Sequence, residues 1–104
     1  MKVKNLISNR SGESVRNQFI IEHNGKIYFQ SYESVVAVVT DCGLFLGSDW
    51  DYSKTTLKWL YVFLREYANK YYDILQNNYR KVCKSTIEKA IKDGYIYSVE
   101  SLTN

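Results

Sequence analysis

Few residues in this 104-residue chain carry chemistry in a recognisable arrangement. His23 is the only histidine and lies beside Asn24-Gly25, where an exposed polar residue is expected; it is the one candidate imidazole base. Cys42 and Cys83 are too far apart for the short spacings of a zinc site and too few for a disulfide framework. Both are expected to be reduced and inert, with a single bridge between them left open. Asp49 and Asp51 stand two apart just before a helix start. Such a pair can bind a cation, and more simply it complements the partial positive charge of a helix N-terminus. A carboxylate-dependent enzyme would need acids from Glu13, Glu22, Glu33, Asp41, Asp49 and Asp51 paired across space. There is no glycine-rich phosphate loop and no nucleophile elbow. The reading is therefore a protein with no catalytic residue, no metal and no cofactor.

What stands out instead is tyrosine, at ten residues, together with an uneven spread of charge. Tyrosine offers a large contact area at low entropic cost and keeps a polar tip, so an excess suits either half-buried packing or a partner-binding surface. Residues 1–53 hold five Lys/Arg and six Asp/Glu, whereas residues 54–93 hold nine Lys/Arg and four Asp/Glu. A basic, Tyr-rich face can neutralise phosphates and stack bases, although solvated helix surfaces carry such charges routinely. The candidate partner-binding residues are Lys54, Lys58, Arg65, Tyr72, Tyr79, Arg80, Lys81 and Lys84. No RNA-binding aromatic motif, helix-turn-helix signature or zinc spacing accompanies them.

These residues hang on one apolar run, Leu57, Leu60, Tyr61, Leu64, Ala68 and Tyr71, at the spacing of one helix face. Ser53 or Thr55 can cap its start. The helix is expected near Lys54 and could continue far past Tyr67, with Asn77-Asn78 as the break. Ser85-Thr86-Ile87-Glu88 predicts a second start in which Glu88 reaches back to the cap, and Gly94 can end that helix. Upstream, Gln18–Glu22 and Lys26–Gln30 flank Asn24-Gly25 as a tight hairpin, with Phe19, Ile21, Ile27 and Phe29 inward. Val35–Val39 lacks alternation and predicts a strand covered on both faces. Leu44–Leu46 returns beside it, and Tyr95–Val99 reads as a last strand. Residues 1–16 read as a loose leader with room for one edge strand around Val3–Ile7. The whole is one α+β domain spanning 1–104: an antiparallel sheet of four to five strands, two hairpins plus a C-terminal strand, packed on one face by two or three helices. No stretch reaches the ~20 apolar residues of a membrane span, and no secretory signal is visible, so a cytoplasmic protein is expected.

Two segments add a resemblance. Phe29-Gln30-Ser31-Tyr32-Glu33-Ser34, followed by Trp50-Asp51-Tyr52-Ser53-Lys54-Thr55-Thr56, is similar to a family of short, uncharacterised proteins from bacterial phages and mobile elements. The similarity covers about residues 15–65 and the Lys92-Asp93-Gly94-Tyr95 end. It implies an accessory protein in a bacterial host that binds and blocks a host protein or protein–nucleic-acid complex, such as a CRISPR–Cas or other defence effector. Two further classes stand beside it: a small basic nucleic-acid-binding protein and a carboxylate-dependent enzyme. The Tyr32, Trp50, Tyr52 and Ser53 group also has a plainer role, with the rings plugging the sheet end and the hydroxyls capping the helix.

Overall fold

A computed structural model describes residues 1–100 and 102. The chain first builds a meander: β1 (Lys2–Ile7), β2 (Ser14–His23), β3 (Lys26–Ser31), β4 (Ser34–Thr40) and β5 (Gly43–Leu46). Three helices follow, α1 (Lys54–Tyr67), α2 (Asn69–Tyr79) and α3 (Lys84–Lys92), and then a two-residue strand, β6 (Tyr97–Ser98). The strands lie in chain order in one six-stranded sheet, antiparallel throughout except that β6 runs parallel to β5. The fold is thus α+β with six strands, more than the four or five expected. The edge strand expected around Val3–Ile7 is β1, paired along β2 with Lys2 opposite Glu22 and Val3 opposite Ile21. The last strand is parallel because three helices intervene between β5 and β6, a crossover rather than a hairpin return.

The β2–β3 hairpin turns at Asn24-Gly25, both with positive φ, as a two-residue turn between twisted strands demands. Its register corrects the inward set. Phe29 is fully buried and pairs with Ile20, so Ile20 faces the core, while Phe19 and Ile21 lie on the opposite face. With two isoleucines adjacent, the strand's own pattern permitted either choice; pairing with Phe29 decides it. A register shift between β3 and β4 then makes room for Val36 to turn inward beside Ala37. On the helix-free face, Val3, Ile21, Tyr28, Val38, Phe45 and Tyr97 stand opposite one another across all six strands.

α1 starts where Ser53, in extended conformation, accepts a hydrogen bond from the Thr56 N–H through its side chain. Its Leu60, Phe63 and Leu64 are fully buried. Phe63 stacks on Phe29 with ring centroids 5.6 Å apart and on Tyr67 at 5.8 Å, tying β3 to the helix layer. The helix ends at Tyr67, and Asn77-Asn78 lie inside α2. The break is at Ala68, with φ −131°, which is buried against the core and serves as the end of α1 and the start of α2. Alanine is the best helix former, so nothing local announced the bend. The bend turns Tyr71 and Leu75 into the same core that Phe63 and Leu64 fill. α3 is capped two residues earlier than expected: Cys83 is the cap, and the Thr86 hydroxyl, not Glu88, accepts from its N–H at 3.0 Å. Past α3, the Tyr97 ring lies over Gly43, where an added Cβ would come within 2.9 Å of it, and stacks on Phe45 at 5.2 Å. Among the described residues no helix is long and apolar enough to cross a membrane.

Phe63 joins sheet to helices, so Phe63→Ala should cost about 3–5 kcal/mol. Against the ~5–15 kcal/mol typical of whole domains this is severe. Urea unfolding followed by far-UV circular dichroism measures it.

Candidate functional site

The two segments that carry the resemblance meet in space. Ser31, Tyr32, Glu33 and Ser34 form the turn from β3 to β4; Tyr52, Ser53 and Thr56 form the entry to α1. Together with Asn17, Val36 and Asp49 they line a cleft of about 670 Å³. The cleft falls in the ~300–1,000 Å³ range of small-ligand sites. A smaller recess of about 120 Å³ adjoins it, sharing Glu33, Ser34 and Asp49 and adding Glu100.

Local chemistry builds this arrangement. Thr56 is buried, and its Oγ1 sits 3.2 Å from the Ser53 hydroxyl and 3.3 Å from that of Ser31, so three hydroxyls run in a chain along the cleft. Tyr32 and Asn17 both adopt left-handed backbone, at φ 56° and 64°. They are held there mutually: the Tyr32 N–H donates to the Asn17 carbonyl at 2.7 Å, and the Gln30 amide donates to the Tyr32 carbonyl at 2.8 Å. A bulky residue in this conformation is strained by about 1–3 kcal/mol. The strained turn places the Tyr32 ring outward, 57 % exposed; Tyr52 is 81 % exposed, while its neighbour Trp50 is buried. Trp50 therefore does plug the sheet end, and Tyr52 does not. Directly across β2–β3 from Ser31 sits Gln18, 1 % exposed, whose Oε1 has no hydrogen-bond partner among the described residues.

The basic candidates do not line the cleft but belong to the helix layer, with Lys54 and Lys84 at the cleft's margin, next to Ser53 and against Asp51. Lys54 and Lys58 are exposed, with the Lys58 ammonium 4.6 Å above the Trp59 ring. Lys84 is exposed and its ammonium is 3.5 Å from the Asp51 carboxylate. Tyr61 shares the α1 stripe of Lys54 and Lys58, and its hydroxyl pKa is raised by burial and by the nearby Cys83, against a hydrogen bond with the Lys84 backbone. Lys54, Lys58 and Lys84 are thereby gathered at one end of the helix layer. Arg65 is engaged by its own neighbour, Glu66, at 3.3 Å. Arg80 and Lys81 are exposed on the α2–α3 link, with Arg80 in left-handed conformation. Tyr72 is half-buried against the core, and the Tyr79 hydroxyl donates to Asp93, which pushes its pKa up to about 12. The helix tyrosines, 61, 67, 71, 72 and 79, thus belong wholly or partly to packing; the exposed ones are Tyr32, Tyr52, Tyr95 and Tyr97.

The chemical candidates fall in separate parts of the molecule, apart from Glu22 and His23, which share a recess of about 490 Å³ at the β2–β3 turn. His23 is exposed at the hairpin tip, its Nε2 3.1 Å from the Asn24 amide. Glu13 and Asp41 are exposed in separate turns, and Asp51 contacts Lys84. Of the six acids, Glu33 and Asp49 share the cleft. Among the described residues no three His, Cys, Asp or Glu side chains group to hold a metal. Cys42 and Cys83 are both free thiols. The expectation that both are inert meets a physical objection at Cys83. Its sulfur takes a hydrogen bond from Ser85, 3.2 Å away, and another from the Thr86 N–H at the start of α3, which together pull its pKa down to about 7. Sequence reasoning treated the cleft residues one at a time, as caps and plugs. The available signal was the density of Ser, Thr, Asn and Tyr in two turn segments.

Two outcomes follow from this geometry. Tyr32→Gly should leave the unfolding free energy unchanged or raise it by up to about 1 kcal/mol, because relief of strain outweighs the extra chain entropy of glycine; chemical denaturation reads it. In a Cys42→Ser background, the rate of iodoacetamide alkylation at Cys83 should climb through pH 7 and level off by about pH 8, because a lowered pKa puts the thiolate in the majority above it.

Comparison with curated proteins and with solved structures returns no match to either. The match to a family model over residues 1–89, which takes in every residue lining the main cleft, places the chain in DUF8033, a family of unknown function.

Proposed function

We propose that this chain is a non-enzymatic accessory protein of phage or mobile-element origin that works by occupying a macromolecule of its bacterial host, such as a CRISPR–Cas nuclease or another defence effector. The observation that carries the reading is the exposure of Tyr52 and of the strained Tyr32 on opposite segments of one cleft. Large rings displayed to water at a cost in backbone strain suit a surface that is covered when the protein works. The action is steric: the covered partner loses access to its own substrate or nucleic acid. The resemblance of Phe29–Ser34 and Trp50–Thr56 to phage and mobile-element proteins supports the origin and the bacterial-cytoplasmic setting.

The gathered Lys54, Lys58 and Lys84 favour a second reading, direct contact with nucleic acid through the helix layer. There, affinity for DNA or RNA falls steeply with salt, and Lys54→Glu with Lys58→Glu abolishes it. The carboxylate-dependent enzyme comes third and would use Glu33 and Asp49.

Immobilised wild-type chain should retain a stoichiometric protein from bacterial lysate, and the Tyr32→Gly/Tyr52→Ala double variant should retain at least tenfold less. Equal retention by both proteins would sink the cleft as the docking surface; retention of nothing by either would sink the blocking role.

A further inference from the structure

We propose that the cleft and its adjoining recess form a binding site for a basic segment of a protein partner, seating an arginine side chain against the Tyr32 and Tyr52 rings and the Glu33 and Asp49 carboxylates. This rests on the reading of the chain as a protein-binding module and names the chemistry of its partner.

The charge argument comes first. The chain is cationic overall, at +3, yet the two recesses are lined by Glu33, Asp49 and Glu100 and by no lysine or arginine. Among the described residues none of the three carboxylates has an ion-pair partner, whereas the neighbouring Asp51 contacts Lys84. Three open acids at one end of a basic protein repel a phosphate backbone and attract cations. All three line the smaller recess, and Glu33 and Asp49 also face the larger cleft; among the described residues they do not group as metal ligands, so the cation they match is one that meets several carboxylates at once.

The rings specify which cation. A guanidinium is planar, weakly hydrated and stacks on aromatic faces while its edge meets carboxylates, which a compact ammonium does less well. Tyr32 and Tyr52 supply exposed faces, and Glu33 and Asp49 supply acceptors in the same cleft. The hydroxyls of Ser31, Ser53 and Thr56 offer further acceptors for five N–H donors. The Tyr32 backbone is fixed on both sides, by its N–H to Asn17 and its carbonyl to Gln30, so little main-chain freedom at that turn remains to be lost on binding.

The test is titration of ¹⁵N-labelled chain with acetyl-Arg-Arg-amide, with its uncharged citrulline counterpart and with a dinucleotide, followed by amide chemical shifts. The arginine probe should give saturable shifts confined to residues 31–34 and 49–56, the citrulline probe at least tenfold weaker binding, and the Glu33→Gln/Asp49→Asn variant a loss of tenfold or more. Those acids are surface groups, and the variant's own spectrum verifies its fold. Tyr52→Ala should weaken binding severalfold. Equal binding of citrulline, shifts scattered over the surface, or saturation of these amides by the dinucleotide alone would overturn the proposal. If the lysate partner is retained while the arginine probe fails, this inference falls and the blocking role stands; binding of the probe without any retained partner gives the reverse.

Discussion

The architecture depends on one stack of rings. Phe29 comes from the middle of the sheet, Phe63 from the middle of α1 and Tyr67 from its last turn, and the three lie nearly parallel at 5.6 and 5.8 Å. Lys4 of β1 reaches the end of the stack, its ammonium 5.5 Å from the Tyr67 ring. Three separate elements are thereby fixed relative to one another by contacts that are apolar in the middle and wet at the end. Once α1 is seated in this way, its first turn has one place to go: beside the β3–β4 turn, where Thr56 meets Ser31. The cleft is a by-product of that seating. Its floor is the capping machinery of a helix, and its two rings come from the turns that lead into and away from the stacked core.

The two faces of the sheet are treated differently. One is buried under the helices, with Leu6, Ile20, Phe29, Ala37, Leu44 and Leu46 in a single core. On the other, Tyr28 and Phe45 flank Val38 closely enough that Val38 is buried without any helix above it. Tall aromatic neighbours can dry out a valine between them, so a run such as Val35–Val39 can be apolar throughout although helices cover it on one side only.

How much of this was legible in the chain depends on the range of the interactions involved. Asn24-Gly25 announced its hairpin because the positive φ of a tight turn is a local demand that few residues meet. The Leu60–Leu64 stripe announced α1 because one period fixes one face. By contrast, the bend at Ala68 has no local cause; it exists because Tyr71 and Leu75 must reach the same core as Phe63. The inward choice of Ile20 over Ile21 is likewise set by Phe29 on another strand. At α3 two short-range caps competed, and Cys83 with Thr86 prevailed over Ser85 with Glu88, two residues further on. The cleft was the least legible feature. Its residues are the commonest turn formers, and what makes them a site is the meeting of segments 20 residues apart in a register that α1 imposes.

Gly43 carries a consequence for the rest of the sheet. The Tyr97 ring rests where a side chain at this position would stand; β6 pairs with β5 through two residues, helped by the Tyr97 stack on Phe45 and the Val99 N–H to the Leu46 carbonyl. A larger residue at 43 would push the ring off Phe45 and loosen the short strand it anchors. β5 would then lie at the margin of the sheet with its N–H and C=O groups unsatisfied, a template onto which a strand from another molecule could add. A bare position 43 thus goes with a closed β5 edge, at the opposite end of β4 from the cleft's own turn.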